Sequence, residues 1–357
     1  MKDRSISKIT ICLLALFFLS GSEVISQGRD KRVSLSGDWR FSIGDNMKFA
    51  RPEYDDADWE EIYVPADWNR QGFRNYSGYA WYRKKVVIEG SGNEALYLEL
   101  GKIDDVDEVY LNGHFIGRTG SFPPDYTTAY NYPRKYFIPA EYINRNGKNV
   151  IAIRVYDEGG QGGIMGFSSA IGIYSYSSYS QNSIALMGKW MFRLGDDAEW
   201  SKERISDTGW EEVLVPSSWE SQGFENYDGF AWYRKAIKLP DNFKTNDLIL
   251  LMGRIDDIDE VFINGTKIGS TGRMEKRWPT NDEWRKIRTY TIPDGLLKQG
   301  KYNVIAVRVF DHTGVGGIYD GPLSLLPKSE YKEFFKNYKT NFYGEDNFFT
   351  WLSYYFD

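Results

Sequence analysis

The chain has 357 residues, with 44 Lys and Arg against 50 Asp and Glu and a formal net charge of −6 at pH 7. One cysteine, two histidines and no long basic run argue against a disulfide framework, a zinc centre and a nucleic-acid surface. Aromatic residues make up 17% of the chain, an excess that needs a use either in packed β cores or at a stacking surface.

At the start, Lys2, Arg4 and Lys8 precede the apolar stretch Ile9 to Leu19. Val24 and Ser26 then stand three and one residues before a cleavage point at Gln27. Residues 1–26 therefore read as a secretion signal, too short in its apolar part to span a bilayer comfortably, with an uncleaved anchor as the alternative. Cys12 lies inside it, so the mature chain is expected to have no cysteine and no transmembrane segment. Its charges are then 41 against 48, a net of −7. A periplasmic or secreted location follows as the expectation.

The rest of the chain repeats itself. QGFRNYSGYAWYRK at 71–84 returns as QGFENYDGFAWYRK at 222–235. GKIDDVDEVYLNG at 101–113 returns as GRIDDIDEVFING at 253–265, and NVIAIRVYD at 149–157 as NVIAVRVFD at 303–311. The offset grows from 151 to 154 residues. Each copy, 33–175 and 183–327, has the size of one hydrophobic core, about 140 residues. Together they leave no room in this chain for a separate catalytic domain. The Ser/Tyr-rich link between them is short, so the copies are expected to touch.

Within each copy the pattern is strand-like. Leu96, Leu98 and Leu100 alternate with more polar positions, and Ile151, Ile153 and Val155 line one face, as Val307 and Val309 do in the second copy. Asn112-Gly113 and Asn264-Gly265 sit between apolar runs and predict tight hairpins, because a type I′ turn needs positive φ at both positions. Pro65, Pro139, Pro216 and Pro293 mark strand starts or loops. Long helical periodicity is absent. The fold class expected is all-β, two tandem jelly-roll β-sandwiches. The tail, 328–357, matches neither copy and is rich in Phe and Tyr. Tyr331, Phe334, Phe335 and Tyr338 have helical spacing, which suits a helix packed on the sandwich or a docking segment for a protein partner.

These blocks resemble the sugar-binding, galactose-binding-like jelly-roll domain of glycoside hydrolase family two enzymes. The residues that carry the resemblance are Trp39, VPADW at 64–68, GYAWYRK at 78–84, IDDVDEVYLNG at 103–113, Gly117 and GKNVIAIRVYD at 147–157, with their counterparts in the second copy. The IDD-DEV form and GGQGGI at 159–164 look closest to the similar accessory domain of bacterial sialate O-acetylesterases. The resemblance implies a carbohydrate polymer or glycan as ligand, and a module that is accessory while the chemistry sits in another domain.

Three carboxylates cluster at Asp104, Asp105 and Asp107, and again at Asp256, Asp257 and Asp259. Their duplication favours a structural role, since Asp readily fixes a turn by accepting backbone N–H groups. Structural calcium is the second reading, with Asp104, Asp107, Asp256 and Asp259 as candidate ligands, and catalysis the third. No cofactor is otherwise expected. His114 and His312 have no counterparts in the opposite copy and read as exposed loop residues. No G-x-S-x-G elbow is present, and the glycine loops at 159–163 and 314–317 lack the Lys-Ser/Thr of a phosphate cradle; Gly there is expected to permit tight backbone turns or close approach of another chain. Trp81 and Trp232 are expected in the core.

The copies disagree in one loop. After Gly120 the first reads SFPPDYTTAYNYPRKY, and after Gly272 the second reads RMEKRWPTNDEWRKIRTY. A rigid sandwich with altered loops is how binding modules change ligand. Phe122, Tyr126, Tyr130 and Arg134, with Trp278, Trp284 and Arg288, are therefore the candidate sugar-binding residues, the rings for stacking and the guanidinium groups for hydroxyls or a carboxylate. The more basic second loop would suit an acidic glycan. The function expected is exported, non-catalytic carbohydrate binding. The rivals are a component of a glycoside hydrolase or carbohydrate esterase and an assembly module that docks a catalytic partner.

Overall fold

The computed structural model describes residues 30–89, 94–176, 182–206, 208–274 and 282–332. Residues 1–26, where a secretion signal is expected, Trp278 and the tail beyond Lys332 lie outside the described residues. Every described element is a strand or a single 3-10 turn, except a helical stretch at 328–332. The all-β expectation holds, and among the described residues no helix is long and apolar enough to cross a membrane.

In the first copy, one six-stranded antiparallel sheet runs in the order Glu60–Val64, Gly37–Ile43, Gly78–Val87, Lys148–Asp157, Val106–Leu111, His114–Thr119. The second copy builds the same order from Glu211–Val215, Gly188–Leu194, Gly229–Lys238, Tyr302–Asp311, Ile258–Ile263 and Thr266–Thr271. Facing it in the first copy is a sheet centred on Ala95–Asp104, flanked by Ile171–Tyr176, Gly163–Met165 and Pro133–Ile138. Its counterpart in the second copy is centred on Leu248–Asp256, between Gly317–Pro327 and Ile287–Thr291. Two sheets face to face must interdigitate the inward half of each strand, and the sequence supplies that alternation. In Gly37–Ile43, Trp39 and Phe41 are buried while Asp38 and Ile43 are exposed.

Each core gathers around a Trp, a Phe and a Tyr. Phe41 meets Tyr82 edge-on at 4.9 Å, and Phe192 meets Tyr233 at 4.8 Å. Trp39 Nε1 donates to the Leu35 carbonyl and Trp190 Nε1 to the Leu186 carbonyl, both at 2.8 Å, so neither indole is buried without a partner. Trp81 and Trp232 are buried as expected, but on the opposite face of their sheet, in satellite clusters with Phe49 and Tyr110, and with Trp200 and Trp210. The hairpin expectation also holds: Asn112 and Gly113 have φ of 51° and 81°, and Asn264 and Gly265 of 50° and 85°. Asn112 further receives the Val150 N–H at 2.8 Å and donates to Asn149 Oδ1 at 2.8 Å, tying the hairpin to its neighbouring strand.

The copies touch. Arg118 forms an ion pair with Glu225 and donates to the Glu220 carbonyl at 3.1 Å. Leu214 of the second copy belongs to the first copy's core cluster, and the Lys189 ammonium sits 5.4 Å over the Tyr142 ring.

Candidate functional site

Both copies converge on one corner, where the strand ending at Asp157 or Asp311 meets the IDD segment. Two arginines decide how that corner is built. Arg134 is 1% exposed. Its Nε donates to Asp107 Oδ1 at 2.6 Å, and one Nη2 serves the Ile103 and Asp105 carbonyls, each at 2.8 Å. Nη1 serves the carbonyls of Ala129 and Tyr132. Arg288 repeats the plan with Asp259 Oδ1 at 2.7 Å and the Asp257 and Lys286 carbonyls at 2.8 and 2.7 Å. A five-donor planar fork is what such a cluster of acceptors requires.

This corrects two sequence expectations. Arg134 and Arg288 do not line an open surface: both side chains are buried, all donors of Arg134 are spent on the protein, and Arg288 gives its Nε, Nη1 and Nη2 to Asp259 and backbone carbonyls. Asp107 and Asp259, the calcium candidates, have both oxygens engaged by the protein instead. Asp107 Oδ2 accepts the Tyr136 hydroxyl at 2.6 Å, Asp259 Oδ2 accepts that of Tyr290, and the other oxygen of each faces its arginine. Burial pushes both carboxyls up, and the guanidinium beside each opposes it.

The neighbouring carboxylates have a different environment. Oxygens of Asp104, Asp105 and Asp157 lie within 4.8 Å of one another, and so do those of Asp256, Asp257 and Asp311. Asp105 accepts the Thr128 hydroxyl at 2.5 Å and the Glu158 N–H at 3.1 Å. Asp257 accepts the His312 N–H at 3.1 Å. Asp157 is fully buried, and neither of its oxygens accepts a hydrogen bond of normal geometry. Asp311 is equally buried; one oxygen accepts the Thr313 N–H at 3.2 Å and the other has no partner among the described residues. Burial, then the charges of Asp104 and Asp105, push Asp157 up to about 7. Burial, then Asp257 and Glu220, push Asp311 up to about 8. Sequence reasoning passed over Asp157 and Asp311, although NVIAIRVYD and NVIAVRVFD repeat them; only the antiparallel pairing carries them to the IDD segment.

The glycine loops make room for a ring of the same copy. A Cβ at Gly162 would lie 2.0 Å from the Trp68 ring, and one at Gly316 2.0 Å from the Trp219 ring.

The divergent loop lies alongside. Phe122 stacks on Tyr79 with ring centroids 5.8 Å apart and planes 5° from parallel. The Arg154 guanidinium sits 4.8 Å from Tyr79 and 4.4 Å from Phe122, held by Asp45 at 2.6 Å and Glu108 at 3.1 Å. Tyr126 meets Tyr156 edge-on at 5.7 Å. Tyr130 is 49% exposed. Phe122 and Tyr126 thus join Tyr79, Tyr156 and Arg154 in one partly buried aromatic cluster, and Tyr130 on the same loop is exposed. In the second copy, Arg308 sits 4.6 Å over Phe230, and Phe230 packs on Phe310 at 4.7 Å. Trp284 is half-buried under its neighbour Arg285, 4.4 Å from the ring. His114 is exposed and stacks on Tyr142 at 4.3 Å.

Residues 44–161 match the family described as the beta-galactosidase second all-beta domain. A beta-galactosidase of Bacteroides ovatus is 26% identical over 138 residues, which is 35% of this chain and 15% of that protein. A beta-glucuronidase of Formosa agariphila is 26% identical over 157 residues, 39% of this chain and 15% of that protein. A Bacteroides uniformis beta-glucuronidase structure aligns with a TM-score of 0.36 at 15% identity, over 79% of this chain and 28% of that one. The matched segments thus span only a small part of these relatives' own length. With residues 44–161 matched and the β-sandwich around them, the chain carries a sugar-binding-type domain associated with glycoside hydrolase family two.

Proposed function

We propose that this is an exported carbohydrate-binding protein with no catalytic centre of its own, serving the breakdown of polysaccharide or glycoconjugate. The observation that carries the reading is the aromatic cluster of Phe122, Tyr79, Tyr156 and Tyr126, with the exposed Tyr130 on the same loop, on a sandwich of sugar-binding type. A pyranose presents an apolar C–H face that suits such rings, and the fixed Arg154 can bond hydroxyls at their edge. The carboxylate clusters support a non-catalytic role, because an active site is seldom needed identically twice whereas a structural corner is.

The test is a glycan-array screen of the purified chain with a product-release assay on every hit. Binding without release is expected, with affinity lost about tenfold or more in Tyr130→Ala and Phe122→Ala. Unchanged affinity in both variants would remove the aromatic surface from the site. The second copy's basic loop is proposed to favour anionic glycans, so uronic polymers should bind it better than neutral ones.

A second reading is favoured by the 15% share of the relatives that the matches span: the sandwiches would be a component of a larger glycoside hydrolase assembly. Product release by this chain alone, or only after mixing with a hydrolase, would select that reading.

A further inference from the structure

Each copy buries a carboxylate beside two others, and among the described residues none of the three forms an ion pair. In the first copy the cluster is Asp104, Asp105 and Asp157, with oxygens within 4.8 Å. Arg134, which bonds the IDD segment, gives its Nε to Asp107 and its other donors to backbone carbonyls. Asp157 is fully buried at the end of its strand and within the cluster, and among the described residues neither of its oxygens accepts a hydrogen bond of normal geometry, the Gly159 N–H being its nearest backbone support. A buried carboxylate normally has a partner, because desolvation without one costs several kcal/mol. The second copy leaves the equivalent defect at Asp311 Oδ2, beside Asp256 and Asp257. One such group is an accident of packing. The same unpartnered group at the same place in two copies that differ elsewhere points to something that binds there.

The donor set selects the ligand. It is all oxygen and all carboxylate, with no histidine or cysteine, which suits a hard divalent cation and not zinc or copper. Calcium accepts irregular arrangements of six to eight oxygens and tolerates a mixture of side chains, carbonyls and water; magnesium demands a near-ideal octahedron. We propose that Asp104, Asp105 and Asp157 hold one calcium ion, and that Asp256, Asp257 and Asp311 hold a second.

The placement gives the ion a task in the first copy. Asp105 accepts the Thr128 hydroxyl at 2.5 Å, and its carbonyl accepts the Ala129 N–H at 3.2 Å. The cluster therefore anchors the loop that carries Tyr126 and Tyr130. Calcium binding to the chain does not depend on the sugar-binding reading, and it is measured without any glycan.

The experiment is calcium titration of the full chain after EGTA treatment, by isothermal calorimetry with metal analysis of the dialysed protein, and thermal melting with and without calcium. Two ions per chain and a rise in Tm are expected, with a weaker response to magnesium. Asp157→Asn and Asp311→Asn should each bind one ion, and the double variant none. Because each Asn relieves carboxylate repulsion, all three variants should melt no lower than wild type in EGTA. That distinguishes lost metal from lost folding. No binding up to millimolar calcium with no change in Tm overturns the proposal, as does unchanged stoichiometry in both single variants. If a shared proton rather than an ion relieves the cluster, metal-free Tm will fall as pH rises through neutrality and calcium will not restore it.

Discussion

Replacing Arg134 by Met asks what that side chain is for. The substitution keeps much of the apolar stem and removes the guanidinium. It leaves Asp107, which is fully buried, with only the Tyr136 hydroxyl at 2.6 Å. It also strips a donor from the carbonyls of Ile103, Asp105, Ala129 and Tyr132. Breaking a buried ion pair by removing one partner typically costs about 3–5 kcal/mol, because the other charge stays buried and uncompensated. That is a large part of the ~5–15 kcal/mol that holds a domain folded. With a urea dependence of about 1–3 kcal/mol per molar, the unfolding midpoint of the first copy should fall by about 2 M. Equilibrium urea unfolding followed by tryptophan fluorescence reads this directly. The paired variant Arg134→Met with Asp107→Leu should recover most of the loss, since no buried charge is then orphaned. Arg288→Met should behave alike in the second copy, where Arg288 and Asp259 repeat the pair at 2.7 Å. If Arg134→Met cost less than about 1 kcal/mol and instead abolished glycan binding, the structural assignment would be wrong and the arginine would belong to the ligand after all.

Gly162→Ala and Gly316→Ala should each destabilise by about 1–3 kcal/mol, because the new Cβ would lie 2.0 Å from the Trp68 or Trp219 ring; thermal melting measures the loss. Burial pushes Glu220 up to about 7 from its ordinary 4.5. Its proton is therefore held more tightly folded than unfolded, so its contribution to stability is complete below pH 4.5 and lost as pH rises toward 7. Glu220→Gln should flatten that part of the stability–pH curve, and an unchanged slope would point to other groups. Asn112→Ala should cost about 1–2 kcal/mol, since Asn112 holds φ of 51° and its side chain bonds Val150, Asn149 and the Tyr142 carbonyl.

The sandwich was legible because its signals are local. Alternating burial in Gly37–Ile43, the Asn-Gly hairpins and the repeat itself each follow from residues next to one another in the chain. The carboxylate corner was legible only in part. Asp104 and Asp105 announce themselves by adjacency, while Asp157 and Asp311 arrive from strands more than fifty residues away. The arginines show the opposite failure. Beside exposed aromatic residues in a variable loop, Arg134 reads as a ligand contact, yet its fork is filled by carbonyls from Ile103 to Tyr132 that no linear pattern brings together.

The sequence by itself determined that the chain is all-β, that it is built twice and where its hairpins turn, because alternation and turn chemistry are written over spans of a few residues. Only the tertiary structure decided which charges are partnered. Whether Arg134 meets a sugar or Asp107, and whether Asp157 meets a cation or nothing, depends on which distant strands share a corner, and that is set by the pairing of sheets rather than by neighbours in the chain.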